Sequence, residues 1–245
     1  MVTVTADPSH GGRWTSLRAA GREWLWHRPD PARAGVRPGD SFIDAGGLEE
    51  CLPTVQGRPD HGDAWSRPWT VHDPSTASVE GEGYVLRRTF SADGAALLVD
   101  YHLRARPGWR FVWAAHALLD LSPDAVLEAP AGTPTRIDGG AVEAWPAGLA
   151  RLGPDDGTAT AAVLLDCPRV TVADGSRLTF HLSAPGQPVS TALWRNLRGW
   201  PAPVPYRSIG IEPMVGRVFN LANAGPGDAA VVPPSGVCSW RLTVS

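Results

Sequence analysis

The sequence has no lysine: all 22 of its cationic side chains are arginine. This reads first as high-GC codon bias and only second as chemistry. Only 19% of residues are charged and the formal charge is −3, so no basic face stands ready to neutralise phosphates, and a general nucleic-acid binder is excluded. Cysteine is scarce. Cys51, Cys167 and Cys238 are an odd number with no CxxC spacing, which suggests neither a zinc site nor a disulfide framework. Long apolar runs are also missing. The longest, Phe111 to Leu121, contains His116 and Asp120 and is too short to cross a bilayer. The opening residues lack the basic and apolar regions of a secretory signal. These absences predict a soluble, cytoplasmic protein with reduced thiols and no membrane or nucleic-acid partner.

A helical period longer than about two turns is absent as well, and the dominant period is two. Trp109, Phe111, Trp113, Ala115, Ala117, Leu119 and Leu121 take alternate positions of one run. Leu97–Leu103, Leu178–Leu182 and Cys238–Val244 repeat the pattern, and Trp14–Arg18 with Glu23–Trp26 read as a hairpin. The 27 glycines and 24 prolines are scattered between these runs, as turns require. Short strands with turns every 8–12 residues or so predict an all-β, large antiparallel β-sandwich. With 245 residues, no linker tract and no fixed repeat, one domain over 1–245 is expected. Arg28–Asp40 is the most loop-like stretch.

Three segments carry candidate chemistry. Gly46–Trp69 gathers Glu49, Glu50, His61, Asp63 and Arg67 among Trp65 and Trp69. Indole faces beside charged hydrogen-bonding groups suit a sugar, although a proline-anchored loop plugging the sandwich end has the same composition. In the second segment His116 points away from Trp109, Phe111 and Trp113, among mostly apolar neighbours. Partial desolvation there predicts a pKa near or below the free value of ~6.5, suited to a proton shuttle. In the third, Tyr206, Ser208, Gly210 and Glu212 share a face. Pro213 predicts that Glu212 ends its strand as a general base, with Gly210 leaving room for a ligand. A metal set of His61, His116 and Glu212 has no supporting local spacing, and no phosphate loop, GxSxG elbow or dinucleotide fingerprint occurs.

In order, Gly11–Trp26 (GGRWTSLRAAGREWLW), Gly46–Thr54 (GGLEECLPT), Pro59–Trp69 (PDHGDAWSRPW), Phe111–Pro123 (FVWAAHALLDLSP) and Leu193–Met214, ending in GIEPM, resemble the aldose 1-epimerase (galactose mutarotase-like) family. The closing PPSGVCSWRLTVS is similar to its last strand. The resemblance implies a supersandwich with an open sugar-binding face and exchange of the α and β anomers of a hexose or hexose derivative. It gives Glu212 the role of base at the anomeric hydroxyl and His116 that of acid at the ring oxygen. His61 then bonds the ring oxygen or a hydroxyl, with Arg67, Glu50 and Trp65 as further sugar contacts. No metal or organic cofactor is implied, the only partner is a small-molecule sugar, and the chain is expected as a monomer or weak homodimer. Ile43–Gly47 (IDAGG) stands where an arginine is usual in the family, and Leu118 where an aromatic is usual. The family's aspartate stays unassigned between Asp120 and Asp166. A non-catalytic carbohydrate-binding sandwich is the alternative. A lyase or hydrolase pairing Glu212 with Glu50 or Asp63 comes third.

Overall fold

The computed structural model describes residues 1–245. Two large antiparallel sheets pack face to face. The longer runs, edge to edge, through Thr3–Asp7, Arg13–Ala19, Leu48–Cys51, Trp113–Leu119, Arg207–Val215, Val189–Leu197, Thr158–Leu164, Pro134–Ile137 and Val142–Ala144, with Arg22–Glu23 beside Arg13–Ala19. The second runs through Val126–Glu128, Arg169–Asp174, Ser176–Ser183, Val237–Val244, Ala96–Ala105, Tyr84–Asp93, Thr76–Gly81 and Thr70–Asp73. The only helical elements are four single 3-10 turns, and no helix is long and apolar enough to cross a membrane. All three cysteines are free and buried.

The period-two runs build the core. Trp113, Ala115, Ala117, Leu119, Ile209 and Ile211 of the long sheet meet Tyr101, Phe180, Trp240 and Leu242 of the other. Tyr101, Trp113 and Trp240 pack ring to ring at centroid distances of 4.7, 5.2 and 5.4 Å. The run from Trp109 does not form one strand. Arg110–Phe111 pairs with Ala230–Val231 in a small separate sheet, and Val112 donates its N–H to Pro53 before the strand resumes at Trp113. Arg28–Asp40 is also more than a loop. Its 3-10 turn Pro31–Gly35 carries Arg33 into the interior, where Nε and Nη2 each donate at 2.9 Å to the carboxylate of Glu49. Arg33 also holds the carbonyl of Trp65 at 2.9 Å, so one cation ties two surface loops to the sheet.

Alternation along a strand has a direct consequence for Glu50. Glu49 stands opposite His116 in the ladder and Glu50 opposite Ala115. Because successive side chains point to opposite faces, Glu50 enters the core between the sheets. There its Oε1 accepts from Arg88 Nη1 at 2.8 Å and Tyr101 Oη at 2.9 Å, and its Oε2 accepts from Trp113 Nε1 at 2.8 Å. The expected sugar contact at Glu50 is therefore corrected: it is a fully buried structural carboxylate.

Candidate functional site

The outer face of the long sheet carries the site. A single cross-strand row runs Glu49–His116, then Glu212–Ala192–Val163–Arg136, by the pairings His116↔Glu49, Ala192↔Glu212, Val163↔Ala192 and Arg136↔Val163. The register on either side, Ala114↔Met214 and Ala117↔Ile211, sets His116 directly opposite Glu212. Directly opposed residues have Cβ atoms roughly 5 Å apart, so their side chains touch. Nδ1 of His116 lies 2.8 Å from Oε1 of Glu212, off the line of a well-aligned hydrogen bond. Oε2 of Glu212 is buried with no protein partner. The two groups therefore stand side by side on the cavity floor and do not face each other across it.

Pro213 does not end the strand. Arg207–Val215 is central, and its pairing to Val189–Leu197 is continuous through Thr191↔Pro213. The ladder to Trp113–Leu119 is broken instead, between Ala114↔Met214 and Ala117↔Ile211. The missing proline N–H is accommodated at that break, where the His116 and Glu212 side chains emerge. Nor does Gly210 make room for a ligand. A Cβ there would lie 2.7 Å from Oε1 of Glu212 and 3.0 Å from Cβ of Trp194, so the absent methyl houses the Glu212 carboxylate. Gly210→Ala should fold, since the nearest atom is the movable end of a side chain, but should push the carboxylate off His116. The expected NMR titration shows the His116 pKa falling in that variant; an unchanged curve would refute the packing argument.

His61 arrives from a loop. It has a positive φ of 58°, followed by Gly62 at 73°. Gly62 is required because a Cβ would sit 2.0 Å from the carbonyl oxygen of Leu52, the backbone it crosses. His61 Nδ1 pairs with Oδ1 of Asp60 at 2.9 Å, its ring stacks on Phe42 at 3.7 Å, and it meets the His116 ring edge-on at 5.2 Å. Together with Asp44, Gln56, Trp194, Trp200 and Phe219, these groups line a cavity of about 310 Å³, at the small end of ligand-site volumes. A cluster of Cys51, Val55, Val112, Ala114, Val163, Ala192 and Met214 packs beneath it.

Electrostatics separates the two imidazoles. Burial pushes His116 down, but the adjacent Glu212 carboxylate, with smaller help from Asp44 and Glu49, more than offsets this and leaves its pKa raised, opposite to the expectation from apolar neighbours. His61 is lowered, by burial and by the proximity of His116, despite the raising effect of Asp60. The hydrogen bond to His61 in turn lowers Asp60. No group of three or more His, Cys, Asp or Glu side chains converges with metal-binding geometry.

Of the residues singled out from sequence, His61, His116 and Glu212 meet in this cavity. Arg67 and Trp65 do not. Arg67 bonds Asp63 through Nε at 2.8 Å, and Asp63 also accepts from Tyr84 Oη at 2.6 Å, so the guanidinium is tied to the loop's own carboxylate. Trp65 stands behind Phe42 with its Nε1 donating to the carbonyls of Asp60 and Gly62, each at 3.0 Å. It buttresses the loop that holds His61. Asp120 is exposed and Asp166 pairs with Arg217. Asp44, not singled out from sequence, lines the cavity and accepts from Tyr206 Oη at 2.6 Å, while Trp26 stacks on Tyr206 at 5.5 Å. The cavity's indoles are Trp194 and the exposed Trp200, both within the Leu193–Met214 motif but without any local pattern to mark them.

No protein-family model matches the chain, and neither does any curated protein sequence. Solved structures do match. The Slr1438 protein of Synechocystis sp. PCC 6803 superposes with a TM-score of 0.72 at 16% identity over 100% of this chain and 92% of that one. A galactose mutarotase related enzyme of Lactobacillus acidophilus gives 0.67 at 14%, over 100% and 94%. A galactose mutarotase-like protein of Lactobacillus casei gives 0.64 at 16%, over 100% and 99%. These likenesses establish the fold: a galactose mutarotase-like β-sandwich.

Proposed function

We propose that this galactose mutarotase-like sandwich is an aldose 1-epimerase-type isomerase, exchanging the α and β anomers of a hexose or hexose derivative. One observation carries the reading: a buried His116–Glu212 pair 2.8 Å apart on the floor of a sugar-sized cavity. With Oε1 lying beside His116, the unpartnered Oε2 of Glu212 is free to take the proton of the C1 hydroxyl. Nδ1 of His116 faces Glu212, which leaves Nε2 to donate a proton to the ring oxygen. The electron pair that the departing proton leaves on the C1 oxygen forms the aldehyde C=O, while the C1–O5 bond breaks with its pair going to O5, which takes the His116 proton. Rotation about C1–C2 and return of both protons closes the ring on the other face, so the enzyme ends unchanged. Both transfers use groups already in contact, and each such transfer typically contributes ~10²–10⁴-fold. His61, its Nδ1 held by Asp60, offers its other ring nitrogen to a hydroxyl or the ring oxygen, and the indole of Trp200 at the mouth suits a C–H face of the sugar.

The test is polarimetry or NMR exchange of freshly dissolved anomers over a hexose panel. The wild type should outpace buffer, and its rate should fall as pH rises through the His116 pKa. That fall should lie above ~6.5, the ordinary imidazole value, because the carboxylate holds the proton on His116. A wild type that never exceeds buffer, yet binds sugars tightly even without His116 and Glu212, would make the protein a carbohydrate-binding module instead.

A further inference from the structure

We propose that the cavity is the terminal part of a longer cleft, and that the preferred substrate is a neutral reducing oligosaccharide, at least a disaccharide. The proposal rests on the anomer-exchange reading of the His116–Glu212 pair. A second cavity of about 690 Å³ shares Gln56, Ala161, Trp194 and Phe219 with the first. Its far wall is reached along the same cross-strand row, from Glu212 through Ala192 and Val163 to Arg136. Three ladder spacings of about 4.8 Å put the Arg136 strand roughly 14 Å from the strand of Glu212, so the two cavities together extend across four strands of the sheet.

The chemistry of the second cavity fits sugar hydroxyls. Arg136 spends Nη1 on the carbonyl of Arg217 at 2.9 Å and has no carboxylate partner. The side-chain amides of Gln56 and Asn223 make no hydrogen bond within the protein, and Trp194 and Phe219 supply apolar faces. Charge argues against an anionic ligand. Arg217 is paired with Asp166, and the carboxylates of Asp138 and Asp228 also line the cleft, more than offsetting the remaining charge of Arg136. Ring opening needs a free hydroxyl on C1 of the unit beside Glu212. The second sugar must therefore be attached through a non-anomeric oxygen of that unit, which defines a reducing oligosaccharide.

The experiment compares anomer exchange of glucose and galactose with that of maltose, cellobiose, lactose and melibiose on the intact protein. At least one disaccharide should exceed its own reducing monosaccharide in kcat/KM by about tenfold, the worth of one or two good contacts. Asn223→Trp, which fills the second cavity, should bring that ratio back to about one, and Arg136→Ala should lower it in the same direction. Calorimetry on the Glu212→Gln protein should give tighter binding of that disaccharide than of its monosaccharide. No gain for any disaccharide, equal loss on both sugars in Asn223→Trp and Arg136→Ala, or a preference for glucose 6-phosphate would overturn the proposal. Failure of the isomerase reading looks different: no sugar exchanges faster than in buffer, while the calorimetric preference and its loss in Asn223→Trp remain.

Discussion

Glu212→Gln is expected to slow anomer exchange by ~10²–10⁴-fold while the protein stays folded. Gln keeps the shape and one carbonyl acceptor, so the cavity floor need not repack. It removes the base, however, and it also removes the charge that holds the His116 proton. Burial lowers the His116 pKa and the carboxylate raises it. Without the charge, burial wins and the imidazole becomes neutral at a lower pH. One substitution therefore weakens acid and base together, and adding His116→Ala to it should cost much less than the product of the two single losses. Polarimetry supplies the rates, and histidine NMR supplies the shifted titration. A variant with wild-type rate would remove Glu212 from the chemistry. Multiplicative losses would mean that the two residues act independently.

Glu50→Ala is expected to destabilise the fold by about 3–5 kcal/mol, the range for breaking a buried ion pair, with little effect on exchange per folded molecule. The loss leaves Arg88, Tyr101 and Trp113 without the carboxylate that accepts from all three. Arg88 is 1% exposed and Glu50 0%, so water cannot take over without opening the core. Stacking of Arg88 over Trp69 at 4.6 Å and Phe90 at 4.7 Å fixes the guanidinium further and denies it an escape route. Urea denaturation gives the loss directly, as a lower midpoint at unchanged m-value. A change below about 1 kcal/mol would show the network to be accessible to water. The same measurement separates Glu50 from Glu212: one acts on stability, the other on rate.

Much of this was legible in the chain as written. The period-two runs name the core strands. Parity along Trp109–Leu121 puts His116 on the face away from Trp113, and parity along Tyr206–Glu212 puts Glu212 beside Gly210. The charged and aromatic composition of Gly46–Trp69 and its likeness to the family's substrate loops single out His61, whereas its left-handed backbone and the close crossing at Gly62 belong to the structure. Parity could not say which face of Leu48–Cys51 looks inward. Four consecutive buried residues carry no alternation, and both Glu49 and Glu50 have buried partners. Arg33, Asp44 and Asp60 were invisible for another reason: they lie in irregular segments, where no period constrains direction.

Sequence alone determined the strands, the sandwich class and the side-chain types able to exchange a proton, because propensity and alternation act over a few residues. Only the tertiary structure decided that His116 meets Glu212 at a broken ladder, that Pro213 can sit mid-sheet there, and that Glu50 faces the core. Those outcomes depend on register between strands 96 positions apart in sequence, as 212 − 116 gives, and on loops closed by buried Arg33. No local pattern encodes a distance of that kind.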